Sequence, residues 1–272
     1  SLRITGNTGT KMPPSTTKTL RLPMQFYRTT SLALLGTALL LLIIGQYTDI
    51  DLWLADLHYD ASAGGFPWRN TWFATDLMHG YVKNVLVWLG LLVIAAALVD
   101  LVFPGGLLSE QRSGQLRILA LSAYLEPLIV KSLKQTTYLQ CPWSLDLYGG
   151  SEPMLRILDT VTASMQKAAC FPAGHASTGM WLVAIAVFWL PGHPRRAAVG
   201  YLTGLSIGLT LGWVQQMRGA HFLTHTLWTA WIASALALLF VGLLDRKLMS
   251  GATPDDCNGS PAYLPVQSAR RE

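Results

Sequence analysis

Charged residues are scarce in this chain: only 13% of its 272 residues are Asp, Glu, Lys or Arg, whereas 51% are hydrophobic. Soluble domains carry about 25% charged residues, so the deficit favours a chain that is partly solvated by lipid. A nucleic-acid partner is not expected, since Lys and Arg occur in short clusters between apolar runs and not on one long basic face. Cysteine is rare as well, and of the three cysteines Cys257 lies in a polar segment, where we expect a free thiol.

A signal-peptide cleavage site is also absent, and this affects how the first apolar run is interpreted. No A-x-A-like cleavage site follows the first run, so we interpret this run as a transmembrane helix and not as a signal peptide. What is present is a series of six runs, near residues 31–47, 82–103, 118–134, 176–191, 198–216 and 224–244. Most of them approach the ~20 residues that cross ~30 Å of hydrocarbon.

We therefore predict an all-α, polytopic membrane protein with six transmembrane helices over residues 30–247. Residues 1–29 are predicted to be a flexible cytoplasmic tail, and residues 248–272 a disordered cytoplasmic tail. The acidic and aromatic segment 49–76 is expected to include an interfacial helix. A short loop around Arg112 and the basic clusters around Arg195 and Arg246 then share the cytoplasmic side with both termini, and segments 49–76 and 135–174 lie on the outer side.

Three polar clusters fall at this outer face, and each is suited to phosphate. Gly174 and His175 stand where a helix begins, so that free N–H groups and the positive end of the helix dipole favour an anion. Arg218 offers a planar fork of donors, and Lys134 adds a point charge. Singly, such residues are more often ordinary interfacial groups, and a lone lysine often snorkels; three clusters on one face favour a site.

Histidines supply the reactive groups. His221 and His225 are four residues apart and share one face of a helix. One histidine can attack phosphorus while another protonates the leaving oxygen. Two histidines at this spacing are also typical of metal ligands, but the third ligand of an H-E-x-x-H-type site is missing, so we predict neither a metal nor a cofactor.

These clusters resemble the signature of the type 2 phosphatidic acid phosphatase (PAP2) superfamily, which reads K-x6-R-P, P-S-G-H and S-R-x5-H-x3-D. The first block resembles Lys134-x6-Cys141-Pro142, and the second resembles Pro172-Ala173-Gly174-His175. The third resembles the segment from His221 to His225. The resemblance implies a bundle of six helices and a metal-free site with a nucleophilic histidine, a histidine acid and an orienting Asp.

Carried over residue by residue, the resemblance implies catalytic roles for three histidines: His221 as nucleophile, His175 as general acid and His225 at the orienting position. It also implies four residues that bind the substrate phosphate: Lys134, Arg218, Gly174 and Ala173.

The chain departs from the signature in each of its three blocks. Cys141 replaces the Arg of the first block, Ala173 replaces the Ser of the second, and His225 replaces the Asp of the third. Gln215 stands where the Arg of the third block is expected, and Arg218, one turn further on, is able to cover its loss. Since a histidine at the orienting position brings no fixed negative charge, activity should depend on its protonation.

A rival alignment makes His225 the nucleophile and places Thr229 at the position of the Asp. It requires one extra residue after Arg218, and we prefer His221.

Cys141 and Cys170 fall in the same outer segment, each beside a motif. Because an outer face is oxidising, we predict a disulfide between them; the alternative is two unpaired thiols.

The function that follows is an integral membrane phosphatase or phosphotransferase at the outer face of a bacterial inner membrane. Its partners are the bilayer and a lipid phosphate, with undecaprenyl pyrophosphate, phosphatidylglycerol phosphate and lipid A phosphates all compatible. The oligomeric state stays open. His79 and Lys83 share a face at the start of the second apolar run. They contact a second phosphate or headgroup in one interpretation and are interfacial anchors in the other. The alternatives are a lipid or ion transporter, for which no internal repeat is visible, and a catalytically silent lipid-binding relative.

Overall fold

The computed structural model of the protein describes residues 22–250 except residues 107, 163, 164 and 166, and it is all-helical over that range, with no β-strand. The predicted all-α class is thus confirmed. Seven helices follow one another along the chain: α1 (Met24–Tyr47), α2 (Ile50–Asp56), α3 (Phe73–Val102), α4 (Glu110–Lys134), α5 (Gly174–Trp189), α6 (Pro194–Met217) and α7 (Leu223–Ser250). Two short 3₁₀ turns, Pro142–Ser144 and Asp146–Tyr148, lie in the long connection between α4 and α5.

Four of these helices are long and apolar enough to cross a membrane: α1, α3, α6 and the part of α7 over Leu223–Leu244. The chain is therefore a membrane protein. α4 has 25 residues but carries several charges, and α5 has 16 residues, fewer than the ~20 of a full span. Six spans thus stay a prediction, with four helices meeting the criterion in the described range.

The centre of the bundle is α5, which packs against α3, α4, α6 and α7. Its apolar side chains are almost completely enclosed, with Met180, Trp181 and Val183 at most 2% exposed. By contrast, α1 and α3 present large apolar side chains outward, for example Leu35 and Trp88 at 65% and 70% exposure. Such a surface is costly in water and suits contact with lipid tails.

Close packing of α6 depends on glycines spaced four residues apart. A Cβ atom on Gly204 would lie 2.4 Å from the carbonyl carbon of Leu182 in α5, and one on Gly208 would lie 2.4 Å from the sulfur of Met180. On the side of α7, a Cβ on Gly212 would lie 2.2 Å from the side chain of Thr226. Small residues at this spacing let helix backbones approach closely in membranes.

The helices begin earlier than the apolar runs suggest. α1 starts at Met24, within the segment 1–29 that the sequence predicts to be a tail, because Tyr27 packs against the apolar core. Residues 1–21 lie outside the described range. Similarly, α7 continues to Ser250, three residues into the predicted tail 248–272, and residues 251–272, including Cys257, lie outside the described range.

The loop predicted around Arg112 and Arg117 is helical, and this prediction was wrong. α4 starts at Glu110, where Ser109 accepts a hydrogen bond from the amide of Arg112. Arg117 forms a 3.0 Å ion pair with Asp100 of α3, and Ser113 donates to the same carboxylate at 2.6 Å. These polar contacts hold the ends of α3 and α4 together, so the helix extends beyond the apolar run.

Gly204→Ala should destabilise the fold, because the backbone of Leu182 occupies the position of the new methyl group. We expect a loss of about 1–3 kcal/mol in the free energy of unfolding. Gly36→Ala is the matched control: it is also a helical glycine, and nothing lies within 4 Å of the position that its new methyl group would take. It should be neutral or stabilise by up to ~1 kcal/mol through helix propensity. Thermal unfolding in detergent measures both, and equal effects of the two substitutions would contradict the close approach of α5 and α6.

Candidate active site

The ends of five helices meet around one cavity. The last turn of α4, the first turn of α5, the end of α6 and the loop before α7 contribute to it, together with the first turns of α3. The cavity has a volume of about 310 Å³. It is lined by His79, Lys83, Lys134, Cys141, Trp143, Gly174, His175, Gln215, Arg218, Ala220 and His221. Alternating helix directions thus bring all three polar clusters of the sequence to one end of the bundle.

Positive charge dominates this cavity. Three of its lining residues are cations, Lys83, Lys134 and Arg218, and none is a carboxylate. Like charges held together in a partly buried space repel one another, and the repulsion is stronger where the dielectric is low. A bound anion relieves it, so the lining favours a group with two or more negative charges.

Arg218 is fixed by its neighbours. Its Nη1 donates to Oε1 of Gln215 at 3.1 Å, and its Nε donates to the backbone oxygen of Arg69 at 3.1 Å. Burial, with a smaller effect from the charge of Arg69, lowers the pKa of Arg218 from its ordinary value, and the guanidinium stays charged at neutral pH. The glutamine that replaces the expected arginine therefore holds Arg218 in place, with the remaining guanidinium donors turned to the cavity.

Lys134 lies beside the start of α5. A Cβ atom on Gly174 would be 3.7 Å from both Cδ and Nζ of Lys134, so the lysine side chain runs along the bare glycine. The first amides of a helix have no intrahelical partner. An ammonium group and the positive end of a helix dipole therefore face the same part of the cavity.

Ala173 stays a predicted phosphate-binding residue, but its amide is not available for this role. The amide of Ala173 donates to the backbone oxygen of His225 at 3.1 Å, and the residue is completely buried. An amide already used in a backbone hydrogen bond has no donor left for an anion. Ala173 instead ties the start of α5 to the first turn of α7.

His221 lies in the cavity wall, 5% exposed. Its Nδ1 is 3.5 Å from the sulfur of Cys170, a weak contact that faces away from the open space. Burial, reinforced by the nearby positive charges of His225 and Lys134, holds the pKa of His221 well below 6.5, and hydrogen bonding to the backbone of Cys170 opposes this in part. The imidazole is therefore neutral at physiological pH, the form that acts as a nucleophile.

His175 and His79 form a stacked pair at the other side of the cavity. Their ring centroids are 4.4 Å apart and their planes differ by 6°. His175 is 8% exposed, and its Nε2 has no hydrogen-bond partner in the described structure. An unpartnered ring nitrogen beside the cavity is free to exchange a proton with a ligand.

His225 is placed behind His221 and does not line the cavity. The two ring centroids are 5.9 Å apart, and Nδ1 of His225 has no partner in the described residues. Thr229, which the rival alignment puts in the orienting position, donates its hydroxyl to the backbone oxygens of Ala173 and His225. The geometry thus supports the alignment that makes His221, and not His225, the reactive histidine.

A disulfide joins Cys141 to Cys170, with Cα atoms 5.5 Å apart. Cys141 lines the cavity, and Cys170 is completely buried next to His221. Ligand atoms of Cys170, His221 and His225 lie within 4.8 Å of one another, a donor set that suits a metal ion when the sulfur is a thiolate. The sulfur of a disulfide is not a thiolate, so these residues do not fit a metal in the oxidised protein.

Asp51 is a site residue that the sequence analysis missed. Its carboxylate accepts hydrogen bonds from the amide of Thr224, at 3.0 Å, and from the Thr224 hydroxyl, and so caps α7 between the two histidines. Burial raises the pKa of Asp51, and the two bonds from Thr224 oppose the shift. Because Asp51 and Thr224 are 173 residues apart, no local pattern could have revealed the pair.

Removal of the disulfide should weaken both stability and the site. The bond closes a loop of 29 residues in sequence separation, for which chain entropy predicts about 3–4 kcal/mol. The double variant Cys141→Ser/Cys170→Ser should lose up to this amount of unfolding free energy, measured in urea or by heat under non-reducing conditions. Cys257→Ser is the matched control and should leave stability unchanged. Equal stability of all three proteins would show that the bond does not constrain these loops.

Comparison with known proteins supplies the family. Residues 115–248 match the model of the PAP2 superfamily. No curated protein and no solved structure matches the chain. The matched segment contains Lys134, His175, Arg218 and His221, the residues that carry charge and reactivity in the cavity. Residues 115–248, just under half of the chain, therefore belong to the PAP2 superfamily of phosphatase-type proteins.

Proposed function

We propose that this protein is a membrane-embedded lipid phosphatase or phosphotransferase that works through a phosphohistidine on His221. The observation that carries the proposal is the cavity itself, which is lined by His221, His175 and His79 together with three cations and no carboxylate. Membership of the PAP2 superfamily supports phosphoryl transfer in general.

Binding uses the charges in the cavity wall. Gln215 holds Arg218, and Lys134 lies beside Gly174. Both cations line the same cavity, so we expect them to bind one anion together. Arg218 offers hydrogen bonds in a fork, and the free amides at the start of α5 add neutral donors. These groups also stabilise the charge that spreads over the equatorial oxygens in the transition state.

The reaction has two balanced steps. In the first, a ring nitrogen of His221 attacks phosphorus, an N–P bond forms, and the P–O bond to the leaving group breaks. The electron pair of that bond stays on the leaving oxygen, which takes a proton from His175. In the second, His175 removes a proton from water, or from the hydroxyl or phosphate of an acceptor lipid, and that oxygen attacks phosphorus. A new P–O bond forms, the N–P bond breaks, and its electron pair returns to the ring nitrogen of His221.

His225 and Asp51 are positioning residues in this proposal. His225 packs behind His221 without a hydrogen bond to its ring in the described structure, and it shares the first turn of α7 with Thr224. Asp51 holds that turn through Thr224. The segment from His221 to His225 is thereby fixed, and the neutral imidazole is oriented by packing and not by a carboxylate.

The membrane supplies the substrate. The cavity lies at the same end of the bundle as the loops 135–173 and 218–222, whereas Arg112, Arg195 and Arg196 lie at the opposite ends of α4 and α6. The positive-inside rule then supports a cavity at the outer face of a bacterial inner membrane. A phosphate headgroup at that interface reaches the cavity while its tails stay in the bilayer.

Substitution of either cavity histidine tests the mechanism. His221→Ala and His175→Ala should each lower phosphate release from a panel of purified lipid phosphates by roughly 10²–10⁴-fold, and acid-labile labelling from a ³²P-labelled substrate should be absent in His221→Ala. His193→Ala, an exposed histidine at the start of α6, is the matched control. Each assay is run with and without chelator. Wild-type turnover by both cavity variants would end the proposal, and a chelator-sensitive wild type would contradict metal independence.

The pH profile tests the state of His221. Since its folded pKa lies well below 6.5, the neutral nucleophile persists as the pH falls through 6.5, and protonation removes it only at lower pH. The acid limb of kcat/KM, which reports the free enzyme, should therefore lie below pH 6.5. The profile is measured with two substrates whose phosphates differ in pKa. An acid limb at the same pH with both substrates is due to titration of the enzyme and not of the substrate. A shared acid limb at or above pH 6.5 would contradict a buried, neutral His221.

A further inference from the structure

We propose that His79 and Lys83 of α3 form a second anion subsite, which binds the phosphate that carries the leaving oxygen, so that the enzyme selects lipid diphosphates over lipid monophosphates. This inference rests on the proposed function, and it assigns a role to a part of the cavity that phosphoryl transfer to His221 does not itself require.

The position of the general acid identifies the two sides of the cavity. His175 donates its proton to the leaving oxygen, so the leaving group must lie next to His175 and away from His221. The residue on that side is His79, whose ring stacks on His175 with centroids 4.4 Å apart. Lys83 follows one turn later on α3 and lines the same cavity.

The chemistry of this side indicates what the leaving group is. A lipid monophosphate leaves behind an uncharged alcohol with an apolar tail, for which an apolar wall is the best match. Here the wall carries a histidine and a lysine, and no carboxylate lines the cavity. A phosphate as leaving group gains negative charge when the bond breaks, and this wall stabilises that charge.

The backbone conformation of α3 also supports a functional role for His79 and Lys83. The segment Phe73–Val82 is π-helical, and regular α-helix resumes at Lys83. π-Helical turns are rare and frequently occur at functional sites. The wider turn accompanies a division of the surface in which Tyr81 points outward, at 67% exposure, while His79 and Lys83 reach the cavity.

The subsite is also outside the segment that matches the family. The PAP2 match begins at residue 115, and α3 ends at Val102. Membership of the superfamily thus accounts for Lys134, His175, Arg218 and His221 but not for His79 and Lys83. We therefore assign selection among phosphate substrates to residues that lie outside the matched segment.

The reaction on a diphosphate balances without a further reactant. His221 attacks the terminal phosphorus, and the bond from that phosphorus to the bridging oxygen breaks. The electron pair stays on the bridging oxygen, which becomes part of the lipid monophosphate and takes the proton from His175. Lys83 and His79 hold this monophosphate until it leaves, and water then releases inorganic phosphate from His221.

A matched pair of substrates tests the subsite: a prenyl diphosphate and the prenyl monophosphate with the same tail, supplied to the full-length protein in lipid nanodiscs. Wild type should have the higher kcat/KM on the diphosphate. Lys83→Gln should lower kcat/KM roughly tenfold to hundredfold on the diphosphate and less than about twofold on the monophosphate, as expected for one lost charge-assisted hydrogen bond. Lys131→Gln, an exposed lysine of α4, is the matched control and should change neither.

A second variant separates anion binding from positioning. His79→Phe keeps an aromatic ring to stack on His175 but removes the ring nitrogens, so it should also affect the diphosphate selectively. Equal losses on both substrates in Lys83→Gln and His79→Phe would overturn the subsite while leaving the proposed function intact. A wild type that prefers the monophosphate would overturn it too. If wild type releases phosphate from neither substrate, or His221→Ala is as active as wild type, the proposed function itself fails.

Discussion

Repulsion between cations that share a partly buried cavity is the constraint on which the site depends. Lys83, Lys134 and Arg218 line the cavity without a carboxylate, and each costs free energy to hold there until an anion arrives. Neutral groups position two of the cations. Gln215 and the Arg69 carbonyl accept hydrogen bonds from Arg218, and Gly174, which has no side chain, leaves room for Lys134. In the proposed reaction, the phosphoryl group that is transferred neutralises Lys134 and Arg218, and the leaving phosphate neutralises Lys83.

The rest of the architecture serves to keep these helix ends in register. The glycines of α6 allow α5 and α7 to approach until Gly204 meets the backbone of Leu182 and Gly212 meets Thr226, so the motifs on three helices cannot drift apart. At the far end, Arg117, Ser113 and Asp100 hold α3 to α4. The Cys141–Cys170 disulfide and the Asp51 cap then fix the loops beside His221, where helices alone provide no constraint.

Much of this was readable from the sequence, and the failures have physical reasons. The all-α class followed from apolar runs of membrane length. The motifs around Lys134, His175, Arg218 and His221 predicted that these residues lie at one face, and all four line one cavity. The start of α4 at Glu110 was not predicted, because the apolar run begins only near residue 118. Asp100 of α3 stabilises the polar first turns of the helix through Ser113. Two contacts were not predicted, because the partners are distant in sequence. The amide of Ala173 donates to the carbonyl of His225, and the carboxylate of Asp51 accepts from the amide of Thr224.

The central claim is that His221 carries the phosphoryl group between donor and acceptor. The most direct measurement is mass-spectrometric mapping of protein that has been quenched under alkaline conditions during turnover of a lipid diphosphate, because phosphohistidine survives at high pH. The proposal predicts phosphate on the peptide that contains Ala220 and His221, with fragment ions that assign it to His221 and not to His225. Phosphate release without any phosphorylated histidine, or a phosphoryl group located on His225, would contradict it.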